Sequence, residues 1–475
     1  MKSNESKIGI LLFLISIFLL IITLYNSLSK NILLDSFDEI FTLNIIQYSY
    51  LNMIHSAAMD VHPPVYYIIL KSAFTFFYFL KIQFNEIVLG KIVSIIPIII
   101  LLIFSLTKIK KDLGWLATGI FAMCIVSMPK LMFYGFELRM YSWALLFVTL
   151  SFYNAYKITI KSKTKNWILL TIFSLLGFYT HYYAGISSFI IYGLLFVFLL
   201  KNRKANKFWT NFKKLISSGL IFILSCLPWI MYLLNSGGLE SGFKLPSITF
   251  SSIQEYIWFI VSPAHHFQGY SIIAKIGNNL ISTPFTYFDL RSNISIIGIV
   301  MIILLIILLI YSFLIKRTKH DSFINYGLLV LICTILIGVI TSILIEPTFY
   351  DRHMFPALGC FYLTFSLLLS KTYSKKQIFL PLFILFLLVS VSCKYSFICS
   401  EKQNELTIGQ TKEVLNQVSA NDMIIVTDDN FIKNYFVATI MGYHLPLKKP
   451  NIDEFVSGAS NGRGRNNVYF TYLSN

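Results

Sequence analysis

The chain has 475 residues, of which 56% are hydrophobic and only 13% are charged, and its formal net charge is +17. A soluble domain is about 45–50% apolar and about 25% charged, so this composition excludes a soluble globular protein and predicts an all-α polytopic membrane protein. In such a protein an excess of Lys and Arg is typical of cytoplasmic loops, and it therefore does not indicate a nucleic-acid partner.

The first predicted membrane span is 8–25, which follows Lys2 and Lys7. A cleavable signal peptide has a shorter apolar core and a small-residue cleavage site, so this segment is predicted to remain as a transmembrane helix. Ten further apolar runs of roughly membrane-spanning length bring the prediction to about 11 transmembrane helices. These runs are 90–107, 114–131, 140–156, 166–181, 183–200, 214–234, 292–315, 323–345, 354–370 and 377–394.

Segment 65–80 is apolar but does not fit a span. It has 16 residues, follows Pro63 and Pro64, and carries Lys71 near its middle. A helix of this length reaches only ~24 Å, which is short of the ~30 Å hydrocarbon core. We therefore predict a helix that lies at the membrane interface or packs against the outside of the bundle.

The distribution of basic residues predicts the orientation in the membrane. With eleven spans and a cytoplasmic N-terminus, the predicted cytoplasmic segments hold 21 of the 39 Lys and Arg residues, whereas 19 of the 22 acids fall outside. The positive-inside rule favours this arrangement over one in which 65–80 also crosses the membrane. The chain then divides into a transmembrane domain, 1–395, and an extracytoplasmic C-terminal domain, 396–475, for which mixed polarity predicts a small α/β fold.

Two acidic motifs lie in the first predicted outer loop, 26–89. Asp38 and Glu39 follow the first span. A carboxylate close to the membrane surface can act as a general base on a hydroxyl group, and an ordinary loop acid or helix cap is the alternative. Asp60 and His62 precede a double proline, which fixes the backbone and begins the next helix. The restricted backbone holds both side chains in defined positions. The alternative is that Asp60 serves only as a helix cap.

Glu137, Arg139 and Tyr141 lie at the predicted outer start of the span 140–156. Their spacing keeps Glu137 and Arg139 off a common helical face, so each can have its own partner. An arginine can hold a phosphate through two parallel hydrogen bonds. A simple interfacial anchor, in which the arginine reaches the lipid headgroups, is the alternative.

Histidine and arginine recur in two more predicted outer segments. His181 and Tyr182 lie in a very short turn, where an interfacial aromatic belt accounts for the tyrosine but not for the histidine. Arg352 lies between Asp351 and His353. A surface ion pair with Asp351, which contributes little stability, is the alternative to an anion site at Arg352.

The outer loop 235–291 adds Glu255, His265 and His266. Across the chain, the polar motifs provide carboxylates for acid–base chemistry and arginines for an anion, all at one predicted membrane face. The sequence has no P-loop, dinucleotide fingerprint or H-E-x-x-H motif. A nucleotide-driven reaction is thus disfavoured, and a membrane lipid is the expected donor.

The linked motifs resemble those of family 39-like glycosyltransferases, which are bacterial relatives of protein O-mannosyltransferases and of the lipid A aminoarabinose transferase. The resemblance covers roughly residues 1–370 and lies in Asp38-Glu39, His62-Pro63-Pro64-Val65-Tyr66-Tyr67, Glu137-Leu138-Arg139-Met140-Tyr141, Thr180-His181-Tyr182 and Arg352 followed by Pro356. It implies the GT-C membrane fold, a polyprenyl-phosphate sugar donor, transfer outside the cytoplasm with inversion, and a catalytic base at Asp38 or Glu39.

The roles expected on this basis divide the motifs into two groups. Asp38, Glu39 and Asp60 are the expected catalytic residues, and Arg139 and Arg352 are expected to hold the lipid phosphate between them. The substrate-binding residues are His62, Glu137, Arg139, Tyr141, His181, Tyr182 and Arg352. No cofactor is required, although a divalent metal near the carboxylates is compatible with the chemistry.

Two other functions remain open at this point. One is a polysaccharide polymerase or ligase, which also uses lipid-linked sugars but transfers whole glycans. The other is a lipid or sugar transporter, which typically has inverted repeats and polar residues at mid-membrane. The predicted spans are almost uniformly apolar, so the transporter is disfavoured. The sequence does not indicate the sugar or the acceptor.

Overall fold

The computed structural model of the protein describes residues 2–29, 37–59, 62–127, 130–236, 248–249, 252, 256, 259–260, 272–276, 279–283, 303–304, 306–308, 310, 321–345 and 347–394. This described part is mostly helical, as predicted for an all-α membrane protein. Most of the predicted span 292–315 lies outside it, and so does the whole predicted C-terminal domain, 396–475. Among the predicted polar motifs, Asp60, Glu255, His265 and His266 also lie outside the described residues.

The helices follow the chain in the order α1 (Lys2–Ser29), α2 (Phe37–Ile45), α3 (Tyr50–Met59), α4 (Val65–Phe79), α5 (Glu86–Phe104), α6 (Lys110–Ser127), α7 (Leu131–Tyr134), α8 (Tyr141–Ile160), α9 (Thr164–Phe178), α10 (Tyr182–Lys201), α11 (Phe208–Asn235), α12 (Asp321–Ile324), α13 (Gly327–Leu344), α14 (Leu358–Lys371) and α15 (Lys376–Lys394). A π-helical turn, Ser105–Ile109, joins α5 to α6, and 3₁₀ turns flank α14 at Asp351–Ala357 and Thr372–Ser374. One antiparallel hairpin, β1 (Ile272–Ile276) with β2 (Asn279–Thr283), lies in the predicted outer loop, where no strand was predicted.

Seven helical segments in the described part are long and apolar enough to cross a membrane. They are Asn4–Tyr25, Glu86–Ser127, Tyr182–Lys201, Phe208–Asn235, Gly327–Leu344, Asp351–Ser374 and Lys376–Lys394. The protein is therefore a helical multi-pass membrane protein by length and composition. The helices α8 and α9 coincide with two more predicted spans, but α9 has only 15 residues and α8 contains the buried polar residues Ser151 and Asn154. The predicted number of about eleven spans is therefore larger than the seven segments that are long and apolar enough in the described part.

The longest of these segments, Glu86–Ser127, folds back on itself at Gly114. Gly114 has a φ of +88°, in a region that glycine adopts at little steric cost. As a result, Thr118 Oγ1 lies 3.4 Å from the carbonyl oxygen of Ser105. Residues this far apart in sequence would be about 20 Å apart in a straight helix. The chain after Gly114 therefore runs back alongside α5, as expected from the two predicted spans 90–107 and 114–131.

Helix α14 is at the centre of the described bundle. Every residue from 354 to 370 is buried, because α14 packs against α6, α8 and α13. A helix that is apolar on all sides fits a position surrounded by other helices. The 3₁₀ turn before α14 contacts the first residue of α8, Tyr141, and the residue that caps α10, His181. This turn carries Arg352, so the N-terminal ends of α8, α10 and α14 meet at one place.

Helices α2, α3 and α4 form a second apolar cluster around the start of α5. Helix α4 begins directly after Pro64 and is too short to span a membrane, in agreement with the predicted helix 65–80. Lys71 in its middle donates a hydrogen bond to the Ile46 carbonyl oxygen at 2.8 Å, which accounts for a charge in an apolar helix. Leu138 and Met140 belong to the same cluster, so α2 lies beside the segment that leads into α8.

Helix α1 packs closely against α6 through two glycines. A Cβ atom at Gly119 would clash with the carbonyl oxygen of Gly9 and with the side chain of Leu12. Small residues at such positions let two membrane helices approach each other. The contact therefore depends on the absence of a side chain at Gly119.

We expect Gly119→Ala to destabilise the protein by about 1–3 kcal/mol, because the added methyl group overpacks the contact between α1 and α6. Helix propensity alone predicts the opposite sign, since alanine is favoured over glycine by about 1 kcal/mol. Gly193→Ala in α10 is the matched control, because nothing lies within 4 Å of its Cβ position. Thermal unfolding in detergent measures both variants, and equal Tm values would contradict the close packing.

Candidate functional site

Asp38 lies between two arginines from distant parts of the chain. Arg352 donates a hydrogen bond from Nη1 to Asp38 Oδ2 at 3.0 Å, and Arg139 Nη2 lies 3.9 Å from Asp38 Oδ1. Burial by itself raises the pKa of this carboxyl group, but the charges of Arg139 and Arg352 outweigh it and lower the pKa to about 2. The anion between the two arginines is thus Asp38, where the sequence had predicted a lipid phosphate.

Arg139 is the centre of a buried hydrogen-bond network, and its side chain is only 2% exposed. Its Nη1 donates to Thr42 Oγ1 at 3.2 Å, to the Tyr67 hydroxyl at 3.4 Å and to the Asp38 carbonyl oxygen at 3.4 Å. Its Nη2 lies 3.1 Å from His62 Nε2. Arginine can only donate, so His62 Nε2 accepts and the imidazole carries its proton on Nδ1. This burial excludes the alternative of an exposed anchor at the lipid headgroups.

Glu39 has a different environment from its neighbour Asp38. Its side chain is 5% exposed, and Oε1 accepts a hydrogen bond from the backbone N–H of Leu138 at 2.8 Å. A carboxylate bonded to a backbone donor fixes the two segments that it joins. Glu39 therefore holds α2 against the segment before α8, which is the segment that carries Arg139.

Glu137 lies in the tight turn before α8, where its carbonyl oxygen accepts from the Arg139 N–H at 2.7 Å. Burial and the charges of Glu39 and Asp38 raise the pKa of its carboxyl group to about 8, although Arg352 and Arg139 act in the opposite direction. At neutral pH the Glu137 side chain is therefore protonated, and it can donate a hydrogen bond. It differs in this respect from Asp38, which is ionised.

We expect the stability of the protein to fall as the pH rises from about 5 to about 8, and this loss to be smaller in Glu137→Gln. The folded-state pKa of about 8 lies above the ordinary glutamate pKa of 4.5, so the folded state binds more protons than the unfolded state between these pH values. Raising the pH therefore favours unfolding, whereas glutamine does not titrate. Thermal unfolding of both proteins from pH 5 to pH 9 tests this, and parallel pH profiles would contradict the raised pKa.

Two histidines lie beside this network. His181 caps α10, because its Nδ1 accepts from the Tyr183 N–H at 3.2 Å, and His353 Nδ1 accepts from the Tyr350 N–H at 3.0 Å. The two imidazole centroids are 5.5 Å apart. A nitrogen that accepts a hydrogen bond carries no proton, so each ring is neutral with its proton on Nε2. Burial, together with nearby positive charge, also lowers the pKa of His181 to about 3.

Of the two tyrosines predicted for the site, Tyr141 lies against a histidine, whereas Tyr182 has a different partner. The Tyr141 ring centroid lies 5.8 Å from that of His181, and the Tyr183 ring stacks on His353 at 4.7 Å. The Tyr182 hydroxyl instead accepts a hydrogen bond from Trp229 Nε1 at 3.0 Å. Tyr182 thus packs against Trp229 of α11 and against Phe178 of α9.

The structure brings most of the predicted site residues together. Those that meet are Asp38, Glu39, His62, Glu137, Arg139, Tyr141, His181 and Arg352. Within the described ranges, no group of three or more His, Cys, Asp or Glu residues could hold a metal ion. The prediction that a divalent metal is compatible with the site stays a prediction.

Sequence reasoning assigned no role to four residues of this region. Thr42 and Tyr67 accept hydrogen bonds from Arg139, and His353 stacks on Tyr183. Lys130 is buried and has a positive φ of 66°, which is uncommon for a residue with a side chain. A lysine within the predicted apolar span 114–131 is the signal that could have identified it.

Comparison of the chain with protein-family models, with curated proteins and with solved structures gives no match.

Proposed function

We propose that the protein is a membrane glycosyltransferase, which moves a sugar from a polyprenyl-phosphate donor to an acceptor hydroxyl outside the cytoplasm, with inversion at the anomeric carbon. The observation that carries the proposal is the position of Asp38, an ionised carboxylate between Arg139 and Arg352 at one end of an apolar helical bundle. A carboxylate can accept the acceptor's proton, and arginines can stabilise a phosphate leaving group.

Asp38 is better suited than Glu39 to be the base. The Asp38 side chain is 24% exposed and can reach a substrate, whereas Glu39 is almost fully buried. One oxygen of Glu39 is also occupied by the Leu138 N–H. We therefore assign the proton transfer to Asp38 and a positioning role to Glu39.

The proposed step transfers one proton and exchanges one bond at the anomeric carbon. Asp38 accepts the proton of the acceptor hydroxyl as that oxygen bonds to the anomeric carbon from the face opposite the donor phosphate. The bond between the anomeric carbon and the phosphate oxygen breaks, and its electron pair leaves with the polyprenyl phosphate. The proton on Asp38 then passes to water, which restores the carboxylate.

The two arginines have different parts in this proposal. Arg139 is buried and already donates to several acceptors, so it positions Asp38. Arg352 is 33% exposed, and among the described residues its side chain donates to Asp38. Its planar guanidinium group can therefore take the donor phosphate. The neutral Nε2–H group of His181 is a further donor for the phosphate or for a sugar oxygen.

The remaining sequence expectations belong to the same proposal. They are a GT-C fold with about 11 spans, a cytoplasmic N-terminus, an extracytoplasmic active site and an extracytoplasmic C-terminal domain. Asp60 and His62 would position the acceptor or support the base. The acceptor, which is a protein, a lipid or a cell-envelope glycan, stays open, and the mechanism requires no cofactor.

The experiment that tests the proposal is lipid analysis followed by turnover. Mass spectrometry of the protein purified in mild detergent should identify a co-purifying polyprenyl-phosphate monosaccharide. That lipid, returned to the protein in membranes with cell-envelope acceptors, should release polyprenyl phosphate. Transfer of an intact lipid-linked glycan would favour the polymerase or ligase instead. Sugar lipids that bind but are only moved across the membrane would favour the transporter.

A further inference from the structure

Asp38 presents a chemical difficulty as a general base. A base accepts a proton best when its pKa lies near the working pH. Despite its burial, Asp38 has a pKa lowered to about 2 by the two arginines. In this arrangement the carboxylate is ionised but weakly basic, so an active site built on it needs a means to weaken its contact with at least one arginine.

Of the two arginines that contact Asp38, Arg352 is the one that can exchange this carboxylate for another anion. Arg139 is 2% exposed and donates to Thr42, to Tyr67 and to the backbone of Asp38. Releasing its partners would leave buried acceptors without donors, which costs about 1–3 kcal/mol for each group. The side chain of Arg352 is one-third exposed, and within the described part of the chain its one side-chain hydrogen bond is that from Nη1 to Asp38 Oδ2.

A carboxylate and a phosphate compete for the same guanidinium group. Both are oxyanions, and both accept charge-assisted hydrogen bonds from the N–H groups of arginine. Two side chains separated by 314 positions form the bond between Asp38 and Arg352, and both are partly exposed. A phosphate that approaches the exposed side of Arg352 therefore meets a guanidinium group that is already bonded to the Asp38 carboxylate.

We propose that Arg352 is the binding site for the donor phosphate, that the Asp38 carboxylate occupies this site when no donor is bound, and that the arriving phosphate displaces Asp38 from Arg352 Nη1. The inference rests on the proposed function, since the phosphate is that of the sugar donor. Displacement removes one positive partner from a partly buried carboxylate, and this loss raises the affinity of the carboxylate for a proton. Donor binding thus converts a weak base into a stronger one.

The test is a binding measurement that involves no sugar transfer. The probes are decaprenyl monophosphate, inorganic phosphate and the neutral lipid decaprenol, each titrated into the purified full-length protein in detergent. Asp38→Asn should bind decaprenyl phosphate about 10-fold more tightly than the wild type, as expected if about one-tenth of the wild-type molecules have Arg352 free. The same variant should lose transfer activity. Tighter donor binding with slower transfer is a combination that a purely structural role of Asp38 does not produce.

Glu39→Gln is the matched control for the loss of one negative charge. It removes a charge from the adjacent position, and glutamine still accepts from the Leu138 N–H, but Arg352 stays paired with Asp38. Its affinity should change by about twofold or less. Equal gains in the two variants, or no gain in Asp38→Asn, would overturn the proposal. A gain with inorganic phosphate as well would assign recognition to the phosphate alone, and a gain only with decaprenyl phosphate would show that the lipid contributes; each supports the oxyanion site.

A structure of the wild type with decaprenyl phosphate gives a second test that needs no variant. The distance from Asp38 Oδ2 to Arg352 Nη1, 3.0 Å here, should exceed hydrogen-bond length once the phosphate is bound. A bound phosphate with this pair intact would overturn the displacement. A different result would refute the proposed function alone. In that case the phosphate displaces Asp38 and the affinity gain is observed, but no polyprenyl-phosphate sugar is turned over.

Discussion

Asp38→Asn is expected to lower the rate of sugar transfer by about 10²–10⁴-fold, which is the usual cost of losing a general base. Asparagine has nearly the shape of aspartate but carries no charge, so it loses the charge-assisted hydrogen bond that holds Arg352. It cannot accept the proton of the acceptor hydroxyl. Because the Asp38 side chain is partly exposed, we expect folding and membrane insertion to be retained. Initial rates at saturating donor measure the loss.

Glu39→Gln separates the base from its neighbour in the same assay. If Glu39 only joins α2 to the segment before α8, glutamine preserves that hydrogen bond and most of the activity remains. An inactive Glu39→Gln with an active Asp38→Asn would reverse the two assignments. Full activity in both variants would refute the mechanism, since neither the Asp38 carboxylate nor the Glu39 carboxylate would then be essential.

The sequence was sufficient to single out most residues of the charged cluster because charge is costly in an apolar chain. Asp38, Arg139 and Arg352 are conspicuous among Leu, Ile, Phe and Val for this reason. Local periodicity also predicted most helices, including α4, which begins after a double proline as expected. Both inferences use information within a few residues of the position concerned.

Contacts between distant segments could not be predicted in the same way. Asp38 is 101 positions from Arg139 and 314 from Arg352, and no local pattern specifies which helix ends meet. Burial is equally hidden, because a sequence with two outer arginines does not show that Arg139 is enclosed whereas Arg352 is partly open. Tyr182 is the reverse case, since its place in a motif suggested the charged cluster but its hydroxyl contacts Trp229.

The difference in burial between the two arginines predicts different defects for the same substitution. Lysine keeps the positive charge but loses the planar fork and two of the five N–H donors. At Arg139 this leaves some of the acceptors Thr42, Tyr67 and His62 without a donor, at a cost of about 1–3 kcal/mol for each buried group. We therefore expect Arg139→Lys to lower the Tm, whatever its effect on transfer.

At Arg352 the same change is expected to act on the donor. The side chain is partly exposed, so Arg352→Lys should retain a Tm close to that of the wild type. Lysine cannot offer two parallel hydrogen bonds to a phosphate, and we expect the donor concentration for half-maximal transfer to rise about 10-fold. Transfer rate against donor concentration, measured with Tm for each variant, distinguishes the two arginines. An unchanged donor dependence in Arg352→Lys would make the Asp38–Arg352 pair an ordinary structural ion pair, and the phosphate would have to bind elsewhere.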